Sequence, residues 1–267
     1  MDLRELCSMG GFFALRTSAD DPPPAPGDRP AARDGAPPAA GRPGTAPGSG
    51  PAPDAGPPAG STPLARVYAG DPTALTERVD LVAARHTPPE RRVAASIAQL
   101  GLAARLWSVA LGSAALHGRV PDLDPARLHW SPRATTPDDL WLDVSGGTPT
   151  LPATADTLRA AVQDTHLAPL TAALRQDTRI SARLLQGNSG SALAGAVRQL
   201  TEWAREQDRP EVAHRAAALA GALFAGPGLA GTVQGPALRR TSCCLYYRAP
   251  RGGLCGDCVF DRPPSRP

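Results

Sequence analysis

From Ala19 to Pro63 the chain carries no aliphatic or aromatic side chain larger than proline, yet it holds nearly half of the 31 prolines. Such a stretch buries too little apolar surface to offset its ordering entropy, so it reads as a disordered, partly polyproline insert. Whatever folds must be assembled from residues 1–18 and from everything after 63. The full 267 residues suffice for one substantial domain or two small ones. A Pro-rich ligand motif is a second reading of the insert, and a solvated linker is the simpler one.

Before the insert, Gly11-Phe12-Phe13-Ala14-Leu15-Arg16 reads as a short strand. After it, Asp71-Pro72 combines an N-cap residue with proline at the first helical position and opens a helix to about Arg85. Thr87-Pro88-Pro89-Glu90 repeats the signal and opens a longer helix toward His117. There Val93, Ile97, Leu100, Ala104, Trp107 and Leu111 recur at helical spacing. Leu128–Trp130 and Leu140–Val144 read as two strands joined by a turn. Helices are expected over 156–166, 167–178, 180–205 with a break near Gly187-Asn188, and 210–224. The expected fold is α+β and mainly α. Residues 1–18 and 64–235 form a helical domain with a minor sheet, and 236–267 form a cysteine-bearing tail.

The net charge of +3 is too small for a dedicated nucleic-acid binder, and the basic residues are scattered. The chain has no lysine at all. Together with abundant Ala, Gly and Pro, that matches GC-rich coding, so arginine is not read here as phosphate recognition. No uninterrupted apolar run reaches the length of a membrane span; 93–116 comes nearest, broken by Gln99, Arg105 and Ser108. The first residues lack the basic start of a secretory signal, which makes a cytoplasmic location the expectation, with peripheral association at the inner membrane face still open. In a reducing compartment, clustered cysteines favour metal binding over disulfides.

Cys243, Cys244, Cys255 and Cys258 fall within sixteen residues in the spacing C-C-x10-C-x2-C. Four thiolates are the ligand count of a tetrathiolate zinc site or a [2Fe–2S] cluster. Adjacent cysteines chelate one tetrahedral ion awkwardly, which favours the two-iron cluster while leaving zinc open. Pro250 and Gly252-Gly253 supply a turn to fold the second pair onto the first. Gly256 is expected to take strained backbone angles that aim amides at sulfur. Cys7, far from the four, is expected in the core. The five histidines are dispersed, so no second metal is expected; His166 is read as buried or capping rather than pocket-lining. No dinucleotide fingerprint or P-loop is present.

The run Cys243-Cys244-Leu245-Tyr246-Tyr247-Arg248, followed by Gly252-Gly253-Leu254-Cys255-Gly256-Asp257-Cys258, closely resembles the C-terminal motif of the FhuF-like siderophore-iron reductases. Residues 180–193 resemble that family's LLWGN-x-x-SAL helix, with Gln186 where Trp is common. His166–Leu170, Gly101–Trp107 and Gly11–Leu15 also look like family landmarks. The resemblance implies a [2Fe–2S] cluster on the four cysteines and one-electron reduction of ferric siderophores, typically hydroxamates. It also implies an external electron donor such as a ferredoxin or a flavin- or NAD(P)H-dependent reductase. Arg239, Arg240, Arg248 and Arg251 crowd the motif and would favour adding an electron to an anionic cluster. Tyr246 and Tyr247 would shield the cluster or pack the tail. Two other readings stand beside this one: a zinc-stapled, non-enzymatic binding module, and an iron–sulfur sensor or carrier with another acceptor.

Overall fold

A computed structural model describes residues 1–19, 56–87 and 90–264, and shows an α+β fold dominated by helices. Most of the Pro-rich insert lies outside the described residues. A 3-10 helix, Leu3–Met9, opens the chain, followed by β1 (Arg16–Thr17), β2 (Thr62–Pro63), α1 (Leu64–Tyr68), α2 (Thr73–His86) and α3 (Arg91–His117). Four short strands come next: β3 (Arg119–Pro121), β4 (Leu128–Trp130), β5 (Leu140–Leu142) and β6 (Thr150–Pro152). Then follow α4 (Ala155–Leu158), a π-helical stretch Arg159–Leu167, α5 (Ala168–Asp177), α6 (Ala182–Glu206) and α7 (Pro210–Ala225). A hairpin of β7 (Val233–Gln234) and β8 (Arg239–Arg240) leads into a 3-10 turn at Tyr246–Arg248.

One sheet has the order β1-β5-β4-β2, with β1 parallel to β5 and the other neighbours antiparallel. The two ends of the Pro-rich stretch therefore sit on opposite edges of this sheet. Pro63 is tolerated there because an edge strand has a side that needs no donor. So the insert as read from 19 to 63 is too long at its far end, where Thr62 and Pro63 are a strand.

Helix α3 is the axis of the core and packs against α2, α6 and α7. Its length and mean hydropathy would allow a membrane span, but 78% of its apolar window is buried inside the fold. Its polar interruptions Gln99, Arg105 and Ser108 are all buried. Arg105 is 1% exposed; its Nε donates to Asp139 Oδ1 at 2.8 Å. Its Nη atoms donate to the carbonyls of Gly11, Phe12, Ala14 and Pro137. A buried guanidinium with every donor used can hold several chain segments at once. That is why Gly11–Leu15 is a turn wrapped on Arg105 rather than the expected strand, with only Arg16–Thr17 extended. Gly112 completes the fit, since a Cβ there would meet the Phe13 ring at 2.6 Å.

Two other expectations are corrected. Cys7 is exposed: the 3-10 period turns Leu3, Leu6 and Met9 inward and leaves position 7 outside. The segment expected as one helix over 156–166 is an α turn followed by a π-helix. That stretch carries His166, which is fully buried. Its Nε2 lies 2.7 Å from the Leu123 carbonyl and must donate to it, so Nδ1, 3.0 Å from the Tyr68 hydroxyl, accepts. Burial pushes the His166 pKa down to about 4.

Because the folded pKa lies below the unfolded value near 6.5, stability is fully present above about pH 6.5 and falls as pH drops toward 4. Unfolding free energies from urea titrations are expected to be flat from pH 7.5 to about 6.5 and then to fall toward pH 4.5 by up to about 1.4 kcal/mol per pH unit from this group alone. His166→Gln should flatten that part of the slope; an unchanged slope would assign the acid sensitivity elsewhere.

Candidate metal centre on the C-terminal tail

The tail is not a separate domain. The boundary drawn at 235/236 falls inside the β7–β8 hairpin, which lies against α6. Close approach is possible because α6 presents glycines three residues apart. A Cβ at Gly187 would meet Ser242 Oγ at 1.9 Å, and one at Gly190 would meet Thr232 Oγ1 at 2.2 Å. The break expected at Gly187-Asn188 does not exist, since α6 runs through it unbroken. Glycine serves here to admit the tail rather than to bend the helix.

Side chains behind those glycines fasten the tail. Ser96 Oγ on α3 donates to the Cys244 carbonyl at 2.7 Å. Asn188 Nδ2 donates to Ser96 at 3.1 Å, and its Oδ1 accepts from Arg240 Nη2 at 2.6 Å. Arg240 Nε donates to the Ser242 carbonyl at 2.5 Å. Ser191 Oγ donates to Asp257 Oδ2 at 2.5 Å, and the Arg240 amide donates to the Asp257 carbonyl at 3.0 Å. This buried network ties both cysteine pairs to α3 and α6.

The four thiols share one end of the tail. Cys244 and Cys255 have their Sγ atoms 3.6 Å apart. That is close to the roughly 3.8 Å edge of a tetrahedral site with metal–sulfur bonds of about 2.3 Å. Cys244 and Cys258 are buried, Cys243 and Cys255 half-buried. Backbone amides of Leu245 and Phe260 point at Cys243 Sγ (3.3 Å) and Cys258 Sγ (3.5 Å). The hydrogen bond shared with Cys255 draws the Cys244 thiol down to about 7 and pushes Cys255 up. Burial raises Cys243 and Cys258. The four do not close on a single point: among the described residues no three His, Cys, Asp or Glu side chains are arranged to hold one ion.

The folding-back of the second pair depends on Gly252, where a Cβ would sit 2.0 Å from the Tyr246 carbonyl. Gly256 has no left-handed angle, because an ordinary turn closed by Cys258 N–H to Cys255 O (3.1 Å) needs none. The left-handed residue is Leu245 (φ 67°), and the amides aimed at sulfur come from Leu245 and Phe260. Tyr246 packs edge-on against His86, and Tyr247 against Phe260. Arg248 pairs with Glu90 at the start of α3, and Arg239 with Asp261 and the Cys258 carbonyl. Arg251 is exposed.

Arg240 differs from all of these. It is 0% exposed, its Nη1 is buried without a partner, and among the described residues no carboxylate lies within ion-pair distance. Its charge adds to the lowering of the Cys244 thiol and works against the rise at Cys243 and Cys255. A buried cation without an anion costs several kcal/mol. An anionic tetrathiolate centre beside it supplies the missing charge, so the residues present fit such a group.

Residues 240–260 match the family model of the FhuF 2Fe-2S C-terminal domain. That similarity to an FhuF-type iron–sulfur domain supports a [2Fe–2S] cluster as the tail's cofactor. No curated protein matches the chain. The asparagine–serine network was missed from sequence, although Gly187 and Gly190 with polar residues between them mark a helix face built for close approach.

If Arg240 waits on an anion, Arg240→Met should leave the metal-free protein at least as stable as the wild type. Loading the cluster should then raise the wild-type Tm more than the variant's. Equal increments on loading would show that Arg240 does not sense the centre.

Proposed function

We propose that this protein is a siderophore-iron reductase, and that Cys243, Cys244, Cys255 and Cys258 hold its cluster. The observation that carries the reading is the uncompensated Arg240 cation beside four thiols, in a tail of FhuF 2Fe-2S type. The adjacent Cys243-Cys244 pair suits a two-iron centre better than one zinc ion.

When bound, a [2Fe–2S] cluster takes up and gives away one electron. The chain's own residues set the terms. Arg240 favours the more negative state of the centre by Coulomb attraction. Two amide–sulfur contacts, from Leu245 and Phe260, act in the same direction. The Ser96–Asn188–Arg240 network keeps the tail rigid, so little rearrangement is needed when charge changes. Tyr246 and Tyr247 pack the tail and cover part of it.

The substrate is ferric iron in a siderophore, of the tris-hydroxamate class. One electron converts it to the ferrous complex, which is bound far more weakly, so iron leaves without cleavage of the ligand. The electron originates from a cytoplasmic donor such as a ferredoxin or a flavoprotein reductase.

Ferrous iron trapped during turnover, with an excess of reduced donor and a ferric tris-hydroxamate, tests the reading. Cys255→Ser is expected to lower the rate at least about a hundredfold through loss of the electron route. Full activity in that variant would remove the cluster from the reaction. Arg240→Gln in loaded protein should lower the midpoint potential on the order of 100 mV, from a charge pair several Å apart at an effective dielectric of about 20.

A further inference from the structure

The reductase reading leaves open where the ferric complex sits, and the cavities narrow the choice. A hollow of about 470 Å³ carries Asp122, Asp124 and Asp156 around Arg159, which is itself paired with Asp156 and Asp164. It offers acceptors to a ligand that is itself rich in acceptors, and no tail residue lines it. A second, of about 460 Å³, contains Arg91, Arg92 and Arg179; Asp80, Asp177 and Glu90 occupy the first two guanidinium groups, and Arg179 is exposed. The tail does not line this one either.

The third hollow, about 260 Å³, lies between α6 and the tail and is lined by Arg183, Gln186, Gly187, Thr232, Thr241 and Ser242 among others. Three features set it apart. Ser242, directly before Cys243, forms part of its wall, and the Ser242 Oγ atom is buried with no hydrogen-bond partner. Arg183 on its rim is exposed and, among the described residues, makes no ion pair or hydrogen bond. The remaining side-chain donors already have acceptors: Gln186 bonds the Gly228 carbonyl, Thr232 the Leu229 carbonyl and Thr241 the Gly231 carbonyl. An exposed guanidinium, solvated until a ligand replaces the water, thus stands at an opening whose wall runs on into a cysteine. Its hydrogen bonds to anionic oxygens are the stronger, charge-assisted kind.

We propose that this hollow seats the ferric complex, with Arg183 donating charge-assisted hydrogen bonds to its hydroxamate oxygens and Ser242 forming the wall toward Cys243. The proposal rests on the reductase reading and adds the docking site to it. At about 260 Å³ the hollow is smaller than a pocket that encloses a drug-sized ligand, so it takes one face of the complex and leaves the rest in solvent. Edge-on seating suits outer-sphere transfer. One electron, supplied beforehand by the external donor, passes from the reduced centre at the Cys243 side to ferric iron. The iron becomes ferrous, the centre returns to its oxidised form, and no proton moves and no ligand bond to carbon or nitrogen breaks.

The test uses the full-length, cluster-loaded protein. A gallium tris-hydroxamate, which has the shape and charge of the ferric complex but accepts no electron, is titrated into oxidised protein by calorimetry. In parallel, KM for the ferric complex is measured in turnover. Arg183→Glu is expected to weaken gallium-complex binding and raise KM about tenfold or more, the loss of one charge-assisted hydrogen bond. The reduced cluster's EPR signal and its reoxidation by ferricyanide should stay at wild-type values. Arg183→Gln, which keeps a donor but not the charge, should weaken binding in the same sense by a smaller factor.

Wild-type affinity and KM in both variants, with the ferric complex still reduced, would overturn the docking site and leave the reductase reading intact. If the wild-type protein neither binds the gallium complex nor is reoxidised by the ferric one, both fall together.

Discussion

A guanidinium with no exposed surface and no carboxylate beside it is the constraint on which this tail depends. Arg240 is held by one carbonyl and one amide oxygen, both neutral, and its Nη1 has nothing. A protein keeps such a group only where something answers its charge. The thiols at the same end of the chain are the available answer. The other three arginines near the motif are exposed or have found partners, Arg239 on Asp261 and Arg248 on Glu90. Four basic residues that look alike in sequence therefore divide into one that faces the centre and three that anchor or solvate the tail.

The same constraint explains α6. To bring Arg240 against Asn188, the hairpin must lie almost on the helix backbone, and Gly187 and Gly190 leave the room. Ser96 on α3 and Ser191 on α6 then reach the Cys244 carbonyl and Asp257. The helical domain is thus a template that positions two cysteine pairs from two helices at once. Arg105 plays a parallel role at the middle of α3, where it gathers the N-terminal turn and the loop before β5.

Local chemistry was legible in the sequence, and long-range purpose was not. Cysteine spacing pointed to a metal centre, and the family-model match over 240–260 supports the [2Fe–2S] cofactor that the spacing suggested. Apolar periodicity announced α3 and α7, and the Leu128–Trp130 and Leu140–Leu142 strands pair as their patterns suggest. Gly187-Asn188 looked like a helix break because the tail that needs the space lies more than fifty residues away. Gly11–Leu15 looked like a strand because its apolar residues do face the core, though they do so around a buried arginine. Cys7 looked like core because its neighbours are, and only the period of three turns it outward. Arg240 is one arginine among many until the fold buries it.

The central claim is that one electron leaves the tail for ferric iron. It is tested most directly by mixing pre-reduced protein anaerobically with excess ferric tris-hydroxamate in a single turnover. The account predicts that the reduced cluster's EPR signal vanishes as ferrous iron appears, at about one ferrous ion per cluster, since a [2Fe–2S] centre delivers one electron. A signal that persists in the presence of the complex, while ferricyanide still discharges it, would contradict the claim and leave an iron–sulfur domain with a different acceptor.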